Sequence, residues 1–390
     1  MVMENSASKN LRVLHVITSL GTGGAEAMLF KLLSCMKSGS FDNAVAVLMD
    51  DSAYGARIRE LGVPVYPLGM RRGRPGIGSL LHLRRIVANY EPDLVQGWMY
   101  HGNIAAQLAV SFTRNARRVL WNIRHSLNGL REEKALTRFL IRLGAILSSR
   151  PARIVYNSEM SAGQHEALGY RGANRVVLGN GFDTERFVFS NEGRQRVRDE
   201  LGLQSKNFLV GTIARFHRIK DFPNLIQSAA LNRDRSDDLR YLLVGPGVDW
   251  SQPSLANSIQ VANLKTMIHL IGERHDIPSV LSAFDLFVLS SSGEGFPNVI
   301  GEAMACERPC VVTNVGDSAA VVGQHGIIVP PKDPKALADA ILKMATMSAD
   351  ERKELGRKAR QRVIDNYSLP KIVEQYESLY RSVIIELSAA

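Results

Sequence analysis

The chain has 390 residues, 45% of them hydrophobic and 22% charged, and a formal net charge of +10. That length supplies two or three domains with full cores, and the balance is that of a globular rather than a disordered protein. Its three cysteines, Cys35, Cys306 and Cys310, form no C-x-x-C pair and no disulfide framework, which points to a reducing cytoplasm.

The first ten residues are polar. The apolar run 11–17 is too short for a membrane span and ends in glycines, unlike a signal peptide. No later stretch reaches membrane-spanning length, so a soluble chain is expected. Strand and helix patterns then alternate, which argues for parallel sheets covered by helices. In the first half the apolar runs predict strands at 11–17, 44–49, 64–68, 94–98, 119–123 and 153–156. Helices are predicted near 25–37, 55–61, 78–89, 102–113, 133–148 and 159–168. A turn signal at Asn180-Gly181 opens a polar stretch without period up to about Gly193, and a hinge is predicted there. The pattern restarts with strands at 208–213, 241–244, 268–271, 286–289, 310–313 and 327–329. Helices are predicted at 221–231, 276–283, 298–306, 334–346 and 349–365. A last amphipathic helix, 369–387, carries Ile372, Val373, Tyr376, Leu379, Tyr380 and Val383, and its entry at Ser368-Leu369-Pro370 separates it from the preceding one. The fold class is thus α/β with two doubly wound units: 1–186, and 187–367. A ligand is expected in the cleft between them.

Charge is unevenly spread. Residues 1–180 hold 23 Lys and Arg against 12 Asp and Glu, whereas 181–390 hold 25 against 26. The excess sits at Arg71-Arg72-Gly73-Arg74, Arg84-Arg85, Arg117-Arg118 and from Arg131 to Arg153. It reads as a solvated face or as attraction to anionic lipid or an acidic acceptor. No aromatic-interleaved nucleic-acid module accompanies it, so nucleic acid is not the expected partner.

Four features carry chemistry. The first strand-to-helix turn, Gly21-Thr22-Gly23-Gly24-Ala25-Glu26, lets backbone N–H groups approach a phosphate or an acceptor. It is also consistent with a plain tight turn, and it makes a NAD-dependent oxidoreductase using Asp50 a rival reading. Arg215 and Lys220 follow the strand 208–213, and two cations five positions apart can straddle a diphosphate. The stretch Glu294-Gly295-Phe296-Pro297-Asn298-Val299-Ile300-Gly301-Glu302 sets two carboxylates around a helix start, suited to sugar and ribose hydroxyls. His101 and His125 follow strands of the first half, where either could contact a sugar or handle a proton; each reads equally as a structural histidine. His15 lies within a strand and reads as core. No Asp-x-Asp or His/Cys cluster suggests a metal, so neither metal nor cofactor is expected and the cations must neutralise the leaving diphosphate.

With Gly23-Gly24-Ala25-Glu26, Asn180-Gly181, Arg215…Lys220 and Glu294-x7-Glu302 in order over nearly the whole chain, the sequence resembles the GT-B glycosyltransferases of retaining family 4, the group 1 transferases. The resemblance implies two facing Rossmann-like domains, with nucleotide held by the second and acceptor mostly by the first. It implies a final helix crossing back to the first domain. It further implies Arg215 and Lys220 on the donor diphosphate, Glu302 on the ribose, Glu294 on the donor sugar, Gly23 and Gly24 near phosphate or acceptor, and His125 near the anomeric carbon. Retention by front-face departure is the implied mechanism. Two departures stand out: Gly316-Asp317-Ser318-Ala319-Ala320 where many members carry Gly-Gly-x-x-Glu, and Ala214-Arg215 for the commoner Gly-Arg.

The expected activity is transfer of a sugar from a nucleoside diphosphate, UDP favoured, to a glycan or lipid-linked acceptor in surface polysaccharide or glycolipid biosynthesis. The expected place is the cytoplasm, peripheral on an anionic membrane, and the oligomeric state stays open. A nucleotide-sugar 2-epimerase on the same fold is the alternative. Base contacts are expected around Gly272-Glu273-Arg274, and sugar choice near Glu294 and Asn298.

Overall fold

The structure is a computed structural model and describes residues 10–36, 40–70, 76–111, 116, 118–127 and 129–389. The Arg71–Arg74 cluster and Arg117 lie outside the described residues. The chain divides into two compact units, Met1–Gly181 with Leu369–Ala390, and Phe182–Ser368. The division falls at Gly181, five residues before the boundary read from the sequence.

The first unit is built on a parallel sheet of β1 (Leu11–Ile17), β2 (Phe41–Val47), β3 (Val65–Pro67), β4 (Leu94–Trp98), β5 (Val119–Ile123), β6 (Arg153–Tyr156) and β7 (Arg175–Val177), in the order β3-β2-β1-β4-β5-β6-β7. The strands are apolar runs because both faces are covered. On β1, Leu14 and Val16 enter one core while Val13 and Ile17 enter the core on the other face. The second of these cores is completed by the last helix, Leu369–Ala389. Its Leu369, Ile372, Val373, Tyr376, Tyr380 and Val383 are buried beside Met28, Leu29 and Leu32 of the first helix, Gly24–Cys35. Tyr376 Oη accepts hydrogen bonds from Asn122 Nδ2 (3.0 Å) and Arg124 Nη1 (2.9 Å), and Tyr380 Oη bonds to Gln96.

The second unit repeats the design with β8 (Phe208–Ile213), β9 (Leu239–Val244), β10 (Ile268–Leu270), β11 (Leu286–Leu289), β12 (Cys310–Thr313) and β13 (Gly326–Val329), all parallel in the order β10-β9-β8-β11-β12-β13. Leu286 and Val288 of β11 face one core, Phe287 and Leu289 the other. In each sheet the strand order reverses once, between β1 and β4 and between β8 and β11. Loops leaving the carboxyl ends of those pairs diverge and leave room for a ligand.

Among the described residues, one strand and three α-helices were not expected. β7 is a half-buried three-residue edge strand, too short to show a period. Helix Asn191–Glu200 occupies the end of the supposed hinge. It buries little apolar surface and is held instead by the Ser190 cap and by Arg194 and Arg198 on Asp285, at 2.7 and 3.1 Å. Helices Pro253–Val261 and Ser318–Val322 are short. No helix among the described residues is long and apolar enough to cross a membrane. Cys35 is exposed, Cys306 and Cys310 are buried, and all three are free thiols.

Candidate functional site

In the second unit the loops after β8 and β11 lie side by side because their strands are neighbours. Ser292 N donates to Ile219 O (2.8 Å) and Ser290 Oγ to Lys220 O (3.0 Å), which ties one loop to the other. This places Lys220 Nζ 2.5 Å from Glu294 Oε1, and Ser291 Oγ donates to the same oxygen at 2.6 Å. The side chains are 18% and 9% exposed, so the pair is largely withdrawn from water and each charge depends on the other. Arg215, at the start of the loop, is exposed and forms no ion pair among the described residues.

The Glu294 loop is shaped from behind. Gly316 has φ +55°, and a Cβ there would stand 2.7 Å from Glu294 O. Asp317 N donates to Gly295 O (2.9 Å), and Thr313 Oγ1 to Ser291 O (2.7 Å). The departure at Gly316-Asp317 is thus a backbone clamp on the Glu294 turn, with Asp317 itself buried. On the other side Phe296 stacks on Phe182 at 6.1 Å and meets Tyr367 edge-on at 6.0 Å. Gly301 has no room for a side chain, because a Cβ would enter the Phe182 ring. Pro297 precedes the helix Asn298–Ala305, whose Asn298 and Glu302 are half-buried in its first two turns. Arg274, expected near the base, is held by Asp276 (2.8 Å) and Glu200 (2.9 Å), so its guanidinium is committed to carboxylates. The Gly245 loop packs against the Ala214–Phe216 backbone: Ala214 N donates to Val244 O and Phe216 N to Pro246 O.

In the first unit Gly23 ends the loop before the helix Gly24–Cys35. A Cβ on Gly23 would press on the Glu26 carboxylate, whereas Gly24 looks into open space. His125 follows β5. Its Nε2 is 3.5 Å from Glu133 Oε1 and its Nδ1 is 3.3 Å from Tyr100 Oη. Burial pulls its pKa down and Glu133 partly restores it. His101 does not join this group. It sits in the helix Met99–Val110 and lines an apolar pocket of about 230 Å³ with Leu48, Ile77, Leu80, Ile104 and Leu140; burial lowers its pKa. His15 is core, as read: it is fully buried between Trp98 Nε1 and Asn43 Oδ1, and its pKa falls to about 4 by desolvation. The structure therefore unites Lys220 with Glu294 and sets Arg215 on the same loop, and within the first unit it gives His101 and His125 different surroundings. Sequence reading missed Ser291, which the serine run before Gly293 could have flagged. It also missed Tyr100 and Glu133, which no local signal marks.

Two family models match this chain. Residues 22–186 match the model described as Glycosyltransferase Family 4, and residues 207–347 the one described as Glycosyl transferases group 1. The chain belongs to this glycosyltransferase family. The group 1 match contains Arg215, Lys220, Glu294 and Glu302, and the family 4 match contains Gly23, Gly24, His101 and His125.

Relatives of known name agree with that membership. The N-acetyl-alpha-D-glucosaminyl L-malate synthase of Bacillus anthracis is 27% identical over 205 residues, and the match spans only about half of each chain (52%). The N,N'-diacetylbacillosaminyl-diphospho-undecaprenol alpha-1,3-N-acetylgalactosaminyltransferase of Campylobacter jejuni is 25% identical over 94% of this chain and 98% of its own. Among solved structures, Anabaena HepE in complex with UDP superposes with a TM-score of 0.82 at 22% identity, covering 95% of this chain and all of HepE. That likeness is one of fold: two Rossmann-like α/β domains, the GT-B architecture.

Proposed function

We propose that this chain transfers a sugar from a nucleoside diphosphate, UDP favoured, to a glycan or lipid-linked acceptor in the assembly of a surface polysaccharide or glycolipid. The carrying observation is the Lys220–Glu294 pair at the switch point of the second sheet, with exposed Arg215 on the same loop. A diphosphate supplies the anion that Lys220 and Arg215 would share. Glu302 would accept from ribose hydroxyls, and Glu294 and Asn298 would bond those of the sugar. Neutralising the leaving diphosphate with fixed side-chain cations and a helix start is a metal-independent route. In this reading the acceptor attacks from the face the diphosphate leaves, and a phosphate oxygen takes the acceptor proton. The C–O bond to phosphate breaks as the new C–O bond forms on the same side, so configuration is retained. Gly23, Gly24 and His125 belong to the acceptor and sugar end of this scheme. The UDP bound to HepE supports the donor class. The names of two relatives contain malate and a diphospho-undecaprenol, both anionic groups, and an anionic acceptor would fit the cationic excess of residues 1–180.

The peripheral-membrane part of the proposal rests on the helix Ala135–Leu147. Leu140, Ile141 and Gly144 bury one face, yet Leu136, Phe139 (60%) and Ile146 (76%) stand exposed beside Arg138 and Arg142. An apolar stripe edged by arginines suits the headgroup region of an anionic bilayer, here its cytoplasmic face.

Thermal unfolding with UDP, GDP and ADP tests the donor site. Ligand at a hundred times its Kd adds about 2.7 kcal/mol and raises Tm by several degrees. A rise with UDP that Arg215→Ala/Lys220→Ala abolishes, followed by NMR of the product anomer, supports the reading. No rise with any nucleoside diphosphate, or an inverted product, removes it.

A further inference from the structure

Behind His125 runs a chain of hydrogen bonds whose direction is fixed at its far end. His165 is fully buried, and burial holds its pKa near 4, so the ring is neutral. Its Nδ1 lies 2.7 Å from Ser161 O, an acceptor only, so Nδ1 must carry the proton. Its Nε2 is then a bare lone pair, 2.8 Å from Tyr100 Oη, and Tyr100 must donate. The Tyr100 phenol stays protonated, since burial raises its pKa far above the usual value. Having spent its only proton, Tyr100 meets His125 Nδ1 at 3.3 Å as an acceptor, so that nitrogen donates. A further bond, Ser161 Oγ to His125 O at 2.6 Å, pins the backbone of the same residue.

We infer that Tyr100 and His165 are positioning residues that hold His125 with its proton on Nδ1, so that Nε2 is the nitrogen that meets a substrate hydroxyl. The second nitrogen of a histidine takes its state from the bond made by the first. Nε2 faces Glu133 at 3.5 Å, longer than a hydrogen bond. Neutral His125 therefore turns a lone pair toward that carboxylate, and two acceptors converge on one spot. A hydroxyl that donates there, or a proton that arrives, completes the set. The groups bearing on His125 are Glu133, Tyr100 and His165, with Tyr156 and Tyr170 behind Tyr100. Glu133 alone carries charge among them, and it favours the protonated ring. The inference rests on the transferase reading only for the identity of the hydroxyl, a sugar's.

Histidine-labelled protein gives the test, by long-range 1H–15N correlation at a pH where the rings are neutral. His125 and His165 are expected with protonated Nδ1 and bare Nε2. His15 is the internal contrast: Trp98 Nε1 donates to its Nδ1 (3.2 Å), so its proton sits on Nε2. In Tyr100→Phe, His125 is expected to swing its proton to Nε2 and donate to Glu133, with the His15 signals unchanged as proof of fold. Wild-type His125 protonated on Nε2, or His125 unmoved in Tyr100→Phe, overturns the inference. Should Tyr100→Phe lose the His15 pattern, Glu133→Gln decides: the proton stays on Nδ1 and the His125 titration moves down. A switched proton there overturns the inference equally. In turnover, Tyr100→Phe should lower kcat about tenfold, the worth of one hydrogen bond of about 1.4 kcal/mol, with KM for the nucleotide sugar unchanged. Wild-type protein that transfers no sugar would sink the transferase reading while leaving the NMR result standing.

Discussion

Lys220 and Glu294, 74 residues apart in sequence, form one part-buried ion pair 2.5 Å long at the ends of two neighbouring strands. The pair holds a cation ready without leaving it unpaired in the free protein. Each partner then has a different fate on substitution. Lys220→Ala leaves a buried carboxylate uncompensated and should cost about 3 kcal/mol of stability along with nucleotide binding. Glu294→Gln frees the ammonium for phosphate, so UDP should bind at least as tightly while sugar transfer falls about a hundredfold or more. Calorimetry beside turnover separates the two; equal losses of both in Glu294→Gln would contradict the division of labour.

Gly316→Ala and Gly24→Ala should differ sharply. Gly316 lies in left-handed backbone (φ +55°) with Glu294 O 2.7 Å from any Cβ, so alanine there should destabilise by about 2–4 kcal/mol and displace the Glu294 turn. Gly24 opens a helix and has no neighbour within 4 Å of an added Cβ, so Gly24→Ala should leave Tm nearly unchanged. If Gly24 approaches the acceptor closely, its alanine variant should instead raise KM for the acceptor. Thermal melts and initial rates on the same preparations check both.

Acid should weaken the first unit as pH falls below about 6.5. His15 and His165 have folded pKa values near 4 against 6.5 when unfolded. Between those values the unfolded chain binds protons that the native state refuses. Their contribution is therefore fully favourable above about pH 6.5 and is lost as pH falls toward 4, at up to about 1.4 kcal/mol per pH unit for each ring. Denaturant melts from pH 7 to 4.5 should show the decline, and His165→Gln, which cannot charge, should flatten it. A stability flat across that range would contradict the burial argument.

Phe139→Ser with Ile146→Ser should abolish binding to vesicles rich in phosphatidylserine or phosphatidylglycerol at low salt, with Tm unaltered because both side chains already stand in water. Arg138→Gln/Arg142→Gln should weaken the same binding and reduce its salt dependence. Wild-type protein that fails to float with such vesicles would dispose of the membrane proposal.

Much of the fold was legible because parallel strands covered on both faces are unbroken apolar runs. The strands at 11–17, 94–98, 119–123, 153–156, 208–213, 286–289 and 310–313 match the structure residue for residue. Elements held by charge or by little at all were not legible: Asn191–Glu200 relies on Asp285 nearly a hundred residues away, and β7 is three residues on an edge. Of the site, Arg215, Lys220, Glu294 and Glu302 were visible as types and spacings. The pairing of Lys220 with Glu294 was not, since it follows from β8 lying next to β11, a fact of strand order. His101 looked equivalent to His125 because both follow a strand. The two diverge because His101 falls in a helical turn against an apolar pocket, and His125 on a loop beside Tyr100 and Glu133.

The helix Leu369–Ala389 belongs to the unit that begins the chain, and this has a consequence for how the protein is made. While the ribosome is still translating the second sheet, the first lacks Tyr376 and Tyr380, and Gln96, Asn122 and Arg124 have no phenols to bond. The order of synthesis and the order of completion are thus reversed: Phe182–Ser368 has all its parts first, and the sheet of the other unit waits for the codons of this helix. A nonsense mutation near residue 370 would spare every residue of the proposed donor site and unmake the other half of the molecule.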